Sequence, residues 1–461
     1  MQTTTTNPIV PIPRLREELD GSVIAPDDEG YDKARTVSAG WVDRRPAAIA
    51  RVAGTAHVAR VIAIARETGA ELAVRSGGHS NAGHGVSEGG IVLDLSGMKG
   101  LEIDADARTA WAEAGLTAGE VTTATASHGL AVGFGDTGSV GIGGITLGGG
   151  VGYLVRKFGL TIDDLLAAEI VTADGEVLQV DAETHPDLFW AIRGGGGNFG
   201  VVTRFKYRLH ELGSFVGGML VLPATADTVA GFIAAAEAAP EELSTIANVM
   251  PAPPMPFLPE EVYGTIVILG MLGFAGNADA GERAIAPFRA LATPLADMVK
   301  PIPYPEMYPP EEGEYRPLAV ARTMFVDRID RDIAATIVER LEASDAAMRV
   351  AQLRVLGGAM ARVPADATAF AHRASRIMVN LAALYEGPDD RVVREAWVDE
   401  FVAALQQADH GVYVNFLADE GEERIRAAYP GSTWDRLASV KDRYDPNNLF
   451  RLNQNVPPAG A

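Results

Sequence analysis

The stretch Arg75-Ser76-Gly77-Gly78-His79-Ser80 follows directly on residues 71–74, Glu-Leu-Ala-Val, which become apolar after the first residue. The apolar run predicts a β-strand, and the small residues behind it allow successive backbone N–H groups to converge on an anion. No Gly-Lys-Ser/Thr sequence follows, so the stretch is not a Walker A loop. A strand that runs into such a loop is suited to hold the pyrophosphate of a nucleotide cofactor.

Two further glycine-rich segments lie at residues 129–152 and 194–200. The first contains Gly141-Ile142-Gly143-Gly144, which does not complete the G-x-G-x-x-G pattern of the common dinucleotide folds. Glycine loses the most backbone entropy on ordering, so this density predicts neither one helix nor an ordinary strand but close approach of the backbone to something. Three such segments indicate one long ligand that is contacted repeatedly; tight turns in a compact sheet protein are the alternative.

The composition restricts the class of protein. The 461 residues predict two or three domains, and 47% hydrophobic residues without an apolar stretch of roughly 18 residues predict a globular protein that does not span a membrane. With 39 Lys and Arg against 61 Asp and Glu, the net charge of −22 would repel a phosphate backbone, so no nucleic acid is expected. The first twenty residues lack the features of a secretory signal, which predicts a cytoplasmic protein.

The absence of cysteine limits the redox chemistry that the chain can carry out. It removes disulfides, thiolate nucleophiles and zinc–thiolate sites. The eight histidines are scattered and form no H-E-x-x-H motif, so we predict no metal site. A bound organic cofactor is then the expected source of any redox activity.

The amino-acid composition and the predicted secondary structure change twice along the chain. Residues 43–212 alternate short β-rich runs with helical stretches, which indicates an α+β or α/β domain. After Gly213, Ala-rich helical segments alternate with Pro-rich passages, and strand-like runs at 265–271, 350–356 and 376–383 are consistent with one sheet backed by helices. From Tyr413 onward the composition changes again. No repeat is visible, and the sequence carries no signal for an oligomeric state.

The order of the motifs carries a family resemblance. Arg-Ser-Gly-Gly-His precedes Gly-Ile-Gly-Gly, then comes Arg-Gly-Gly-Gly-Gly-Asn-Phe-Gly-Val-Val-Thr, and Tyr444-Asp445-Pro446-Asn447-Asn448 opens the terminal motif. Together they resemble the berberine-bridge-enzyme-like oxidases of the vanillyl-alcohol oxidase superfamily, in particular bacterial hydroxynicotine and oligosaccharide oxidases. The resemblance implies an α+β fold, with a PCMH-type FAD-binding domain at 1–213, a substrate domain of antiparallel sheet covered by helices at 214–410, and a segment at 411–461 that returns to the FAD domain.

The resemblance also implies the cofactor and how it is held. His79 occupies the position at which the family attaches FAD covalently. Thr137 stands where many relatives have a second attachment point, a cysteine; because a hydroxyl is a poor nucleophile, single attachment is expected. Asp136 and Thr137 either contact the cofactor or form a local turn. The full set of expected cofactor contacts is Arg75, Ser76, Gly77, Gly78, His79, Ser80, Asp136, Thr137, Gly141, Gly143, Gly144, Gly150, Gly152, Asn198, Gly200, Val201, Val202, Asn453 and Asn455.

The expected catalytic residues are Val140, Tyr413 and Asn415. Val140 matches a position that resembles an oxygen gatekeeper, which favours an oxidase that uses molecular oxygen. Phe416 replaces the tyrosine that alcohol-oxidising relatives often use as a base, so either Tyr413 or a substrate-domain residue takes that role, or the substrate needs no strong base. Residues expected to face the substrate by strand alternation are Gln352, Arg354, Met378 and Asn380. His372 and Arg373 are expected to be a structural anchor between domains.

These expectations define one leading function and two alternatives. The leading function is an FAD-dependent oxidase that takes a hydride from a C–H bond next to nitrogen or oxygen of a small organic molecule and passes the electrons to oxygen, forming hydrogen peroxide. The first alternative is an FAD-linked dehydrogenase with another acceptor. The second is a flavin-binding protein with little turnover, which the missing tyrosine at Phe416 keeps open.

Overall fold

The computed structural model describes residues 9–19, 22–308 and 316–460. The helices of the part before residue 213 are α1 (Ile12–Glu18), α2 (Tyr31–Ala34), α3 (Thr55–Thr68), α4 (Ala118–Ala126), α5 (Ile142–Gly148), α6 (Val155–Phe158) and α7 (Pro186–Ala191). Its strands are β1 (Val23–Ile24), β2 (Ala48–Arg51), β3 (Leu72–Arg75), β4 (Ile91–Asp94), β5 (Leu101–Asp104), β6 (Thr109–Glu113), β7 (Leu130–Ala131), β8 (Leu165–Val171), β9 (Val177–Asp181), β10 (Val201–Arg208) and β11 (His210–Glu211).

Two sheets organise this first part. One has the order β1-β2-β4-β3, in which β4 pairs in parallel with both β2 and β3; the other is antiparallel with the order β5-β6-β10-β8-β9. Helix α3 packs on them because Val58, Val61, Ile62 and Ala65 recur at helical spacing and are all buried. The strand β3 ends at Arg75, so the first glycine loop begins where a buried strand stops.

The glycine-rich segment at 129–152 differs from the sequence expectation in one respect, since its middle forms the short helix α5. Two of its three glycines lie where other groups come close: a Cβ would lie 3.0 Å from Ser76 Cβ at Gly143 and 2.0 Å from Asn415 Oδ1 at Gly148. Close packing against neighbouring segments therefore compensates the low helix propensity of glycine.

The second part forms one large antiparallel sheet. Its strands are β12 (Val216–Pro223), β13 (Leu243–Pro251), β14 (Ile266–Phe274), β15 (Ala296–Asp297), β16 (Lys300–Pro301), β17 (Ala319–Val326), β18 (Arg349–Val355) and β19 (Ile377–Leu384), and its helices are α8 (Ala226–Ala238), α9 (Ala278–Arg289), α10 (Arg331–Ala343), α11 (Ala359–Arg362) and α12 (Pro388–Leu405). The order is β15-β12-β14-β13-β18-β19-β17, with β16 paired to β12. Phe232, Phe288, Ile337 and Phe401 from four of the helices fill the core on one face.

The last part of the chain packs on the first. Helices α13 (Glu422–Ala428) and α14 (Ser432–Tyr444) contribute Ala428 and Leu437 to the core cluster that also holds the β2, β4 and β10 side chains. Lys441 is fully buried and donates to the carbonyls of Asn198 and Phe450 and to the Asp445 carboxylate. The chain thus returns to its first half after the large sheet. No helix in the described ranges is both long and apolar enough to cross a membrane.

Candidate active site

A cavity of about 500 Å³ lies where the glycine loops, side chains of strands β18 and β19 of the large sheet and the C-terminal part meet. Two of its sides differ in construction. We call the loops at 75–80, 141–144 and 196–202 the glycine cradle, and the side chains of Gln352, Arg354 and Asn380 the sheet face.

The glycine cradle depends on backbones that touch. A Cβ at Gly77 would lie 2.2 Å from Gly141 N, and a Cβ at Gly141 would lie 2.1 Å from Ser76 Oγ. Ser76 itself donates from Oγ to Ala114 O at 2.6 Å and accepts from Gly143 N at 3.3 Å. Only glycine fits at 77 and 141, so the two loops lie in direct contact and present backbone to the cavity.

Arg75 marks the entrance of the first loop and is almost completely buried. Its Nη2 donates to Asp94 Oδ2 at 3.0 Å. Burial alone would raise the pKa of Asp94, but the guanidinium of Arg75 and the Ser96 N–H hold that pKa below its ordinary value. The pair is therefore ionised, and Arg75 Nη1 is left buried without a hydrogen-bond partner among the described residues.

His79 belongs to the first loop of the glycine cradle and lines the cavity. The preceding Gly78 has φ +73°, a left-handed conformation that favours glycine, and its carbonyl accepts from Ser38 N at 3.1 Å and Ser38 Oγ at 3.0 Å. His79 Nε2 lies 3.0 Å from Ser139 Oγ, which belongs to the second loop. The histidine is thus held by both loops.

The sheet face is a hydrogen-bonded network that crosses strands. The register pairs Asn248 with Gln352 and Gln352 with Asn380, so the three amides form one row. Gln352 Nε2 donates to Asn248 Oδ1 at 2.8 Å, and Gln352 Oε1 accepts from Arg354 Nε at 3.1 Å. Asn380 Oδ1 is buried and has no partner in the described chain, which leaves an acceptor ready for a donor on a ligand.

Arg354 connects this network to the rest of the cavity. Its Nη2 lies 2.5 Å from Asp136 Oδ2 of the second glycine-rich segment, and its guanidinium carbon lies 5.2 Å from the centre of the Phe416 ring. The arginine side chain is buried, and its Nη1 is unpaired within the described ranges. Arg354 therefore joins three parts of the chain and keeps one donor for a ligand.

Tyr413 and Asn415 form a second fixed pair. The Tyr413 hydroxyl accepts from Gly150 N and from Asn415 Nδ2, both at 2.9 Å, and Asn415 Nδ2 also donates to Ile145 O at 3.1 Å. Burial raises the pKa of Tyr413 although these hydrogen bonds oppose the shift. The phenol is therefore protonated at neutral pH, and its own hydrogen is available as a donor.

His84 is a second histidine in the lining. Burial lowers its pKa to about 4, and the nearby charge of Arg44 acts in the same direction. Its imidazole is therefore neutral at pH 7. The described residues contain no group of three or more His, Cys, Asp or Glu that could hold a metal ion.

Comparison with known proteins places this geometry in a family. The model for the FAD binding domain matches residues 46–181, and the model for berberine and berberine-like proteins matches residues 412–457. (R)-6-hydroxynicotine oxidase of Paenarthrobacter nicotinovorans is 30% identical over 96% of this chain and 98% of its own length. The chain belongs to the berberine-bridge-enzyme-like FAD-linked oxidases.

Other relatives agree with this assignment. Xylooligosaccharide oxidase of Thermothelomyces thermophilus is 29% identical over 90% of this chain and 88% of its own length. The crystal structure of 6-hydroxy-D-nicotine oxidase from Arthrobacter nicotinovorans superposes with a TM-score of 0.83 at 30% identity, over 94% of this chain and 97% of that one. The predicted α+β class with a PCMH-type FAD-binding domain is confirmed, and the protein is an FAD-dependent oxidoreductase.

The cavity of this family member fits FAD. The glycine cradle excludes side chains that would fill it, and the buried Arg75 Nη1 and Asn453 Oδ1 lack partners among the described residues. Arg75 Nη1 is a hydrogen-bond donor and Asn453 Oδ1 is an acceptor. A polar cofactor could supply the partners that these buried atoms lack. When bound there, FAD supplies the two-electron redox chemistry that the side chains lack.

Most of the residues expected from the sequence line this cavity. The lining contains Arg75, Ser76, Gly77, Gly78, His79, Ser80, Asp136, Thr137, Val140, Gly141, Gly143, Gly144, Gly200, Val201, Val202, Gln352, Arg354, Asn380, Tyr413, Asn415 and Asn453. The structure thus brings together residues from every part of the chain.

Five expected residues lie outside the lining. Asn198 is buried and joins Gly195 O and Gln454 O to Val456 N, so it holds the C-terminal part in place. Gly150 donates its N–H to Tyr413, and Gly152 packs so tightly that a Cβ would lie 2.2 Å from Phe134 O. Met378 is buried in an apolar cluster with Phe325, Leu356 and Phe370. Asn455 is not in the lining either, and its Oδ1 is buried without a hydrogen-bond partner among the described residues.

Other lining residues were not expected from the sequence. Asn81 and His84 follow His79 in a run of small residues. Because the run continues the first glycine loop, the sequence could have predicted that both residues line the cavity. Leu417, Leu452 and Gln454 come from the C-terminal part and carry no such signal. His372 and Arg373 lie outside the cavity: Arg373 makes two 2.8 Å bonds to Asp163, an interaction between the two halves of the chain.

Proposed function

We propose that the protein is an oxidase that takes a hydride from a C–H bond next to nitrogen or oxygen of a small organic substrate and transfers the electrons to molecular oxygen, forming hydrogen peroxide. The observation that carries this proposal is the cavity itself, which is lined both by the glycine cradle and by Gln352, Arg354 and Asn380. Such an arrangement can hold the flavin and a small molecule against each other.

We further propose that FAD is attached covalently, at a single point, through His79. The support is the position of His79 in the lining, with its ring held by Ser139. Thr137 lines the same cavity where many relatives carry a cysteine, and its hydroxyl is too weakly acidic to act as a second nucleophile. Attachment fixes the ring system relative to the sheet face.

The side chains of the cavity favour a substrate that needs little help from a base. Among the described lining residues the carboxylate is Asp136, and it is paired with Arg354. Tyr413 is protonated and Phe416 cannot accept a proton. A neutral amine loses hydride with the assistance of its own lone pair, whereas an alcohol must also lose its hydroxyl proton, so we propose an amine or another electron-rich C–H donor.

The similar relatives leave both classes open by name, since one is an oxidase of a hydroxynicotine and the other of xylooligosaccharides. A screen of amines, alcohols and sugars for peroxide release tests the class directly. Stopped-flow reduction without oxygen, followed by mixing with oxygen or with a quinone, tests the acceptor. Fast reoxidation by oxygen supports the oxidase; reoxidation by the quinone alone would make the protein a dehydrogenase.

The covalent linkage has its own test. After acid precipitation, the wild-type pellet should stay yellow and the peptide that contains His79 should carry the mass of FAD. His79→Ala should still bind FAD through the glycine cradle but release it into the supernatant on acid treatment. A colourless wild-type pellet would overturn the linkage.

A further inference from the structure

The carboxylate and guanidinium groups that line the cavity are held in ion pairs. In the described lining these groups belong to Arg75, Asp136 and Arg354. Arg75 donates to Asp94, and Arg354 Nη2 lies 2.5 Å from Asp136 Oδ2. His84 adds no charge at pH 7, because burial lowers the pKa of its imidazole to about 4. These charges of the cavity wall therefore compensate one another.

We propose that Asp136 is a specificity-determining residue: by neutralising Arg354 it restricts the sheet face to an uncharged ligand and excludes carboxylates. An uncompensated guanidinium in the cavity wall would select an anion, because arginine binds a carboxylate through two parallel hydrogen bonds. With Asp136 in place, the arginine already has its carboxylate. The inference rests on the proposed function, in which the sheet face contacts the substrate, and it narrows the proposed amine to one that binds in its uncharged form.

Arg354 is held so that its charge cannot turn away from Asp136. Its side chain is 5% exposed, and its Nε and Nη2 donate to Gln352 Oε1 at 3.1 and 2.6 Å. Gln352 in turn donates to Asn248 Oδ1 at 2.8 Å, and the guanidinium carbon lies 5.2 Å from the centre of the Phe416 ring. Rotation of the guanidinium would break several of these contacts at once. The ion pair is therefore a fixed part of the cavity wall.

Asp136 is fixed through its backbone. The carbonyl of the preceding Gly135 accepts from Tyr308 Oη at 3.0 Å. Because a carbonyl can only accept, Tyr308 uses its hydrogen in this bond, so Tyr304 Oη, which lies 3.0 Å from Tyr308 Oη, donates to Tyr308. Both tyrosines are buried and belong to the second part of the chain. That part thus holds Arg354 directly and Asp136 through the neighbouring carbonyl.

The two charges act in opposite directions on their surroundings. Burial raises the pKa of the nearby Tyr153, the charge of Asp136 raises that pKa further, and the charge of Arg354 lowers it. Without the carboxylate, the effect of the arginine would no longer be opposed by its partner. A ligand beside the pair would experience the same change, so Asp136→Asn should make this wall of the cavity positive.

The decisive experiment compares three ligands of nearly the same shape but different charge. They are benzoate, an anion, benzamide, which is neutral, and benzamidinium, a cation. Their dissociation constants are measured at pH 7 by isothermal titration calorimetry on the FAD-loaded wild type, Asp136→Asn, Arg354→Leu and the double variant. The matched control is Asp163→Asn, the same change in a buried ion pair with Arg373 that lies outside the lining.

We expect the wild type to bind benzamide more tightly than either charged ligand. Asp136→Asn should bind benzoate at least roughly tenfold more tightly than the wild type, as for a gain of hydrogen bonds to a charged group, while its affinity for benzamide changes little. Arg354→Leu should favour benzamidinium instead, because it uncovers the carboxylate. The double variant should lose the gain for benzoate, and Asp163→Asn should keep the wild-type preference.

Two results would overturn the inference: benzoate affinity in Asp136→Asn no greater than in the wild type, or a gain for benzoate that persists in the double variant. If Asp136→Asn fails to fold, the wild type and Arg354→Leu decide, since equal wild-type affinities for benzoate and benzamide, or no gain for benzamidinium in Arg354→Leu, contradict the inference as well. The failure of the proposed function is distinct, because binding is measured without turnover. A protein with this charge preference that releases no peroxide from any substrate would contradict the oxidase alone.

Discussion

The glycine cradle and the sheet face bound the same cavity but are built by different means. In the cradle the shape is set by backbone, with Gly77 and Gly141 in contact and Gly78 in a left-handed conformation. On the sheet face the shape is set by side chains of neighbouring strands, which hydrogen-bond one another and leave Arg354 Nη1 and Asn380 Oδ1 unpaired. Glycines that are in backbone contact can hardly be substituted. Single substitutions in the side-chain network of the sheet face can instead change which ligand the cavity prefers.

The largest effect is expected where the cradle is closed by contact. In Gly141→Ala the new Cβ would meet Gly77 N at 2.2 Å, and because that neighbour is backbone it cannot move away alone. We expect loss of most bound flavin and a destabilisation of at least about 1–3 kcal/mol, the usual cost of overpacking. Flavin content by absorbance and the Tm measure the two effects.

The matched control is Gly213→Ala, where a Cβ meets nothing within 4 Å and φ lies outside the left-handed range. It should change neither flavin content nor Tm appreciably. If Gly141→Ala retained full flavin, the cradle would not depend on backbone contact, and the contrast with the sheet face would lose its basis.

The same contrast explains what the sequence can predict. Gly77, Gly78 and His79 could be predicted because local motifs fix the cradle, and Gln352 and Asn380, which were selected by strand alternation, line the cavity. Met378 follows the same alternation, but it lies where the sheet is covered by Phe370 and its neighbours, so alternation gives the face of a strand and not the edge of a cavity. The strands β12, β13 and β17 were not predicted, because the apolar runs there alternate weakly.

On the sheet face, we expect the loss of a charged side chain to lower the free energy of unfolding. In Arg354→Leu, Asp136 would lose the partner that now lies 2.5 Å from it, and we expect a loss of about 1–3 kcal/mol in the free energy of unfolding. Adding Asp136→Asn should recover part of this loss, because the uncompensated carboxylate is gone. Urea denaturation with the flavin bound measures both.

Arg376→Leu serves as a control in the same sheet region. Its ion pair with Glu237 is largely exposed, and such pairs contribute about 0–1 kcal/mol. Equal losses in Arg354→Leu and Arg376→Leu would mean that the Arg354 pair is not a structural element of the cavity.

A substitution at Val140 tests the access of oxygen to the cavity. Val140 lines the cavity, and its carbonyl accepts a hydrogen bond from Ala118 N. If a valine leaves space for oxygen beside the flavin, Val140→Leu should slow reoxidation by oxygen roughly tenfold, a change of about 1.4 kcal/mol in the barrier, and leave flavin reduction by substrate unchanged. Stopped-flow traces of both half-reactions measure this. Identical reoxidation rates would remove Val140 from oxygen access.

The smallest effect is expected at Tyr413, and the argument combines both sides of the cavity. Its hydroxyl accepts bonds from Gly150 of the glycine-rich segment and from Asn415, and burial raises its pKa, so it holds its proton at neutral pH. General-base catalysis typically contributes about 10²- to 10⁴-fold, and a protonated phenol that accepts two hydrogen bonds is poorly prepared for that role. We therefore expect Tyr413→Phe to reduce kcat less than roughly tenfold on an amine substrate. Tyr429→Phe is the control, because Tyr429 is also fully buried but its hydroxyl has no partner in the described chain. A loss in Tyr413→Phe of the full general-base factor on an alcohol or sugar, with Tyr429→Phe unaffected, would identify Tyr413 as the base and replace the amine proposal with an alcohol-oxidising one.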